Sequence, residues 1–88
     1  MHESGFAGRI VEAALERARE AGAARVTDLH VELGPKAGFA AESVAFHLEE
    51  ASRGTIVEGA RIHFLPTTDP RALRLVSIDV EDPPERTA

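Results

Sequence analysis

Two hydrophobic rhythms follow one another at the start of this chain, and the switch between them limits the fold more than any other feature. From Gly5 to Ala21 apolar residues recur every three or four positions (Phe6, Ala7, Ile10, Val11, Ala14, Leu15, Ala18, Ala21), leaving Arg9, Glu12, Glu16, Arg19 and Glu20 outward. That period predicts an amphipathic helix, with Ser4 as N-cap and Gly22 as its left-handed terminator. From Arg25 to Leu33 the period drops to two. Thr27, Leu29, Val31 and Leu33 fall on one face and Val26, Asp28, His30 and Glu32 on the other, which describes a strand with one wet side.

The same two rhythms recur downstream. After the break at Gly34-Pro35-Lys36-Ala37-Gly38, a second helix is predicted over Ala40–Ser52, with Ala41, Val44, Ala45, Leu48 and Ala51 along one stripe and Phe46 pointing away from it. Phe46 is then either tucked under a loop or exposed as a contact residue. Gly54 is placed to cap this helix and Gly59 to turn the chain. A strand over Ala60–Leu65 sets Ala60, Ile62 and Phe64 inward against Arg61, His63 and Leu65. A last strand over Leu73–Glu81 alternates Val76, Ile78 and Val80 against Leu75, Ser77 and Asp79, beyond a loop with prolines at 66 and 70.

With one apolar face per strand and one stripe per helix, the economical packing is an α+β two-layer sandwich of order α-β-α-β-β, both helices on one face of a three-stranded sheet. The strand-helix-strand unit favours parallel pairing and the short loop through Pro66 an antiparallel third strand, so the sheet should be mixed. A single domain is expected over residues 1–82, followed by a disordered polar tail over 83–88 that includes Pro83-Pro84.

Composition removes whole classes of function. A net charge of −5 argues against a nucleic-acid surface. The absence of Tyr and Trp argues against stacking platforms, and with no cysteine neither a disulfide framework nor a thiolate zinc site can form. No basic leader or long apolar run precedes the first helix, so no membrane span is expected and a cytoplasmic protein is the default. Catalysis is not indicated either. The serines Ser4, Ser43 and Ser52 lack an elbow or oriented base, and the Gly34–Gly38 loop lacks the Lys and Ser/Thr of a phosphate loop. The pairs Glu49-Glu50 and Glu81-Asp82 read as solvated surface, Glu42 as a first-turn helix residue and Glu58 as a turn residue.

One stretch does carry chemistry. In Met1-His2-Glu3 a free α-amine, the His2 amide nitrogen and His2 Nδ1 can close a five-membered and a six-membered chelate ring around one ion, three nitrogens nearly in a plane. Planar nitrogen sets suit Ni(II) or Cu(II), whereas Zn(II) prefers tetrahedral sites. Glu3, or a partner protein, would fill a fourth position.

Several segments in one order then resemble a known family. They are Met1-His2-Glu3, the amphipathic helix, the strand Arg25-Val26-Thr27 through Leu33-Gly34, the helix from Glu42 through Phe46, Gly54-Thr55-Ile56-Val57-Glu58-Gly59-Ala60, and the closing strand Arg74–Val80. Together they resemble the HypA-type nickel metallochaperones of hydrogenase maturation, from Met1 to about Glu81. The resemblance implies a nickel-binding accessory protein whose Ni(II) site is Met1, His2 and Glu3. It further implies a maturation GTPase and an apo-hydrogenase or other nickel enzyme as partners. The family normally inserts a zinc-binding domain with two Cys-x-x-Cys pairs between the last two strands, where this chain has only Thr67-Thr68-Asp69-Pro70-Arg71-Ala72, so no zinc is expected. An alternative is a metal-free interaction scaffold using Phe46 and the outward Leu65 and Leu75. A third reading places a metal between His30 and His63, which share the outward phase of the sheet; His47 lies on the polar side of the second helix.

Overall fold

A computed structural model describes residues 5–84. The elements run α1 (Gly5–Glu20), β1 (Arg25–Leu33), α2 (Ala41–Ser52), β2 (Arg61–Leu65) and β3 (Leu73–Glu81). The fold is the expected α+β arrangement, two helices and a three-stranded mixed sheet. Ser4, the predicted cap of α1, and residues 85–88 of the predicted tail lie outside the described residues.

The ends of α1 and α2 are set by local backbone chemistry. Gly22 takes φ +65°, and the Ala23 and Gly22 amides donate to the Ala18 and Arg19 carbonyls, closing α1 with a left-handed turn. Gly54, φ +78°, follows α2, and its amide donates to the Glu58 carboxylate (3.0 Å), so Glu58 is a structural turn residue as expected. Ser52, on the last turn of α2, is buried and donates to the Leu48 carbonyl (2.6 Å), which satisfies its hydroxyl inside the apolar layer. Val57 is fully buried beneath this turn.

Strand order is β2-β1-β3: β1 pairs parallel with β2 and antiparallel with β3. The short loop at 66–72 therefore carries the chain past the end of β1 instead of making a β2-β3 hairpin. The physical reason lies in burial. β1 contributes Val26, Leu29 and Val31, each at most 1% exposed, and the central position covers both of its edges. The core joins these residues to Ala7, Val11, Ala14 and Ala18 of α1 and to Val44 and Leu48 of α2.

Two irregularities in the β1–β3 ladder correct the simple alternation. Thr27 is an extra residue in β1 between the Val26–Val80 and Asp28–Asp79 pairs, and Val76 an extra residue in β3 between Ser77 and Leu75. A bulge lets two successive side chains share a face. Val26, expected on the wet face, is therefore fully buried, while Thr27, expected inward, donates from its hydroxyl to Asp28 (2.7 Å). Leu75, expected outward, is likewise buried at 6% exposure. Phe46 is the exposed alternative of its two readings, at 57%.

Candidate functional site

Met1, His2 and Glu3 lie outside the described residues. The structure describes the chain from the first turn of α1 onward. Phe6, in the first turn of α1, has its ring 4.6 Å from that of Phe39, and 5.7 Å from the imidazole of His47 in edge-to-face geometry. Phe46 adds a second edge contact to His47 at 5.5 Å. Phe6 is thus flanked by Phe39 of the 34–40 loop and by His47 of α2. Helical phase put His47 on the polar side of α2, and nothing in the sequence announced its contact with Phe6.

A group of polar and charged side chains gathers on the face of the sheet away from the helices. Parallel register sets His30 directly opposite His63, and their rings stack 4.8 Å apart at an interplanar angle of 14°. Each imidazole has its own carboxylate: His63 Nε2 lies 2.8 Å from Asp28 Oδ1, and His30 Nε2 lies 2.8 Å from Asp79 Oδ2. An ionised carboxylate only accepts, so each Nε2 carries the proton and donates it. Asp28 also receives Arg61 Nε at 2.9 Å, and Arg74 Nε donates to Glu32 at 2.9 Å along the same face.

Asp28 is the hub of this network. Its carboxyl is held well below the usual carboxylate range, first by the His63 hydrogen bond, then by Arg61 and the Thr27 hydroxyl, against an opposing effect of burial. The Arg61 guanidinium is correspondingly raised by Asp28. Because the folded carboxyl is more acidic than its unfolded counterpart (about 3.9), the stability it contributes is present above that value and is lost as pH falls below it. Urea unfolding at pH 5 and again near pH 2.5 should therefore show the gap between the wild type and Asp28→Asn shrinking with acid; a constant gap would refute the assignment.

The sequence picked out His30 and His63 by their shared phase, and the structure does bring them together. Their ring planes are nearly parallel and each Nε2 is committed to a carboxylate. Among the described residues no group of three or more His, Asp or Glu side chains is arranged to hold a metal ion. The face is an ion-paired surface organised by Asp28. Among those residues, too, no helix is long and apolar enough to cross a membrane.

Comparison with known proteins identifies the family. The family model described as "Hydrogenase/urease nickel incorporation, metallochaperone, hypA" matches residues 1–70. Hydrogenase maturation factor HypA of Roseiflexus sp. (strain RS-1) is 45% identical over 62 residues, 70% of this chain and 50% of that protein. HypA of Pyrococcus furiosus is 44% identical over 64 residues, 73% of this chain and 46% of that protein. The chain spans about half the length of the relatives it matches. In fold it is similar to the solution structure of the Ni metallochaperone HypA from Helicobacter pylori, with a TM-score of 0.79 at 13% identity, covering 94% of this chain and 100% of the other. The helix-strand periodicity, the mixed sheet and the family match across residues 1–70 lead to one conclusion: the chain belongs to the HypA family.

Proposed function

We propose that this chain is a nickel-binding accessory protein that takes Ni(II) as cargo at Met1, His2 and Glu3 and passes it to a nickel enzyme such as a hydrogenase. Its partners in this reading are a maturation GTPase and the apo-enzyme, its setting is the cytoplasm, and it catalyses no reaction of its own. The observation that carries the reading is Met1-His2-Glu3 at the head of α1 in a member of the HypA family. The ligand chemistry agrees: amine, amide and imidazole nitrogens in a near-plane suit Ni(II), and a terminal grip can open without unfolding the core behind it. No zinc is assigned to these residues, since the sequence holds no cysteine to supply thiolates.

Isothermal titration of Ni(II) into protein beginning at an unblocked Met1 tests this directly. Binding at one site is expected, and His2→Ala should remove it. Affinity should also fall steeply from about pH 8 to pH 6, because a terminal amine near 7.7–8.0 and an imidazole near 6.5 must lose protons to bind metal. Equal titration curves for wild type and His2→Ala would instead favour the metal-free scaffold, with Phe46 and Leu65 as its contact residues.

A further inference from the structure

Along its outer side α1 does not sit flush on the sheet, and a groove of about 240 Å3 runs between it and the first residues of β3. The floor is apolar, built from Phe6, Ile10 and Ala13 of the helix and Leu73 and Leu75 of the strand. Arg9 and Arg17 stand on the lip, two helical turns apart, with Ala13 midway between them. A larger side chain at position 13 would fill the slot; its methyl leaves it open.

Among the described residues, not every arginine on this lip has an ion-pair partner. A third arginine at the groove, Arg74, is paired with Glu32. Arg17 donates to the Val76 carbonyl at 2.8 Å, a neutral acceptor that leaves the guanidinium charge in place. Arg9 has no ion pair among the described residues. A chain of net charge −5 therefore sets over an apolar slot two arginines that form no ion pair among the described residues. One wall of that slot is an edge strand, since β3 ends the order β2-β1-β3. Arg17 covers the edge at the Val76 bulge and the slot lies beside the residues just before it.

We infer that this groove docks an extended, acidic and apolar segment of a partner protein. An edge strand beside an apolar floor suits an extended chain, whose alternate side chains enter the floor while those between them reach the lip. Carboxylates at the intervening positions meet Arg9 and Arg17, giving paired, partly desolvated charges that a basic or neutral segment cannot match. The chain's own residues 82–88, Asp-Pro-Pro-Glu-Arg-Thr-Ala, offer no large apolar side chain for the floor. The docking needs no metal, so it stands or falls apart from the nickel reading.

The probe is a short fluorescein-labelled peptide alternating Leu with Glu, followed by anisotropy at low salt, with the same peptide carrying Lys for Glu as comparison. The Glu peptide is expected to bind with Kd below about 1 mM and the Lys peptide about 10-fold more weakly or worse. Arg9→Glu should weaken the Glu peptide about 10-fold, while Arg19→Glu, the same charge change elsewhere on α1, should stay within about 2-fold. Ala13→Glu, checked for an unchanged helical spectrum, should abolish binding by filling the floor; Arg9→Glu, at an exposed position, keeps the test decisive if that variant unfolds. The inference is overturned by no binding, by equal binding of the Lys peptide, or by equal losses in Arg9→Glu and Arg19→Glu. Displacement by a single-stranded oligonucleotide at the peptide's own concentration, or self-association abolished by Arg9→Glu, would overturn it in favour of a nucleic acid or a second copy.

Discussion

Acetylating the Met1 amine is expected to weaken Ni(II) binding by about 100-fold or more, because it removes one nitrogen donor and with it the five-membered ring. The unfolding temperature should not change, because acetylation alters none of the buried core side chains, among them Ala7, Val11 and Leu29. Adding one residue ahead of Met1 makes a sharper comparison. It moves the imidazole to third position, where amine, two amides and imidazole can close three fused rings around the ion. That variant should therefore bind Ni(II) tightly and release it slowly, with the sharp visible absorption of a square-planar four-nitrogen complex. A longer extension should behave like the acetylated protein. Titration calorimetry and visible spectra of the set check the prediction, and full affinity in the acetylated protein would exclude the terminal chelate as the site.

Gly34→Ala is expected to cost about 2–3 kcal/mol, a large share of the stability of a domain this size. A Cβ built at Gly34 would lie 2.5 Å from the Asp69 carbonyl oxygen, with Pro70 backbone as close, and backbone cannot rotate aside as a side chain can. Relief requires moving the Gly34 turn off the 69–72 segment. That breaks hydrogen bonds from the Gly34 amide to the Ala72 carbonyl (2.8 Å) and from the Lys36 amide to the Pro70 carbonyl (2.6 Å). For a domain of this length the thermal midpoint should fall by about 10–20 °C. Gly8→Ala is the internal comparison: its Cβ meets nothing within 4 Å, and Ala in a helix is favoured over Gly by about 0.5–1 kcal/mol. Thermal melts followed by circular dichroism should move in opposite directions for the two variants, and a shared direction would show that crowding at Gly34 is not what matters.

Much of this fold was legible in the spacing of apolar residues, and the failures cluster where spacing alone is blind. All five elements fell where periodicity put them, because each needs only its own side chains to declare a buried face. Val26 and Leu75 were assigned to the wrong face because a bulge shifts the phase by one residue, and neither Val26-Thr27-Asp28 nor Leu75-Val76-Ser77 contains a glycine or proline to mark it. The mixed sheet was legible from the connections, but the neighbour of β3 was not: the central place of β1 goes with the burial of Val26, Leu29 and Val31, which the order of elements does not reveal. At the sheet face, His30 and His63 were legible by phase. Asp28 as their hub was not, since a polar residue on a wet strand face carries no sign of what it will touch across the register. Met1-His2-Glu3 was singled out by coordination chemistry, which depends on atoms two residues apart and on no tertiary contact; those residues lie outside the described ones, and the nickel titrations test them.

The connection between β2 and β3 has one more consequence. Leu65 stands beside Glu32, and Leu73 beside Leu33, on opposite sides of the end of β1. Two ladder spacings therefore hold the exits of this connection about 10 Å apart. Such a fixed doorway makes length cheap: lengthening a flexible loop between anchored ends costs only about 0.6 kcal/mol per doubling. Whatever evolution threads through or trims from residues 66–72, the two posts stay where β1 has planted them.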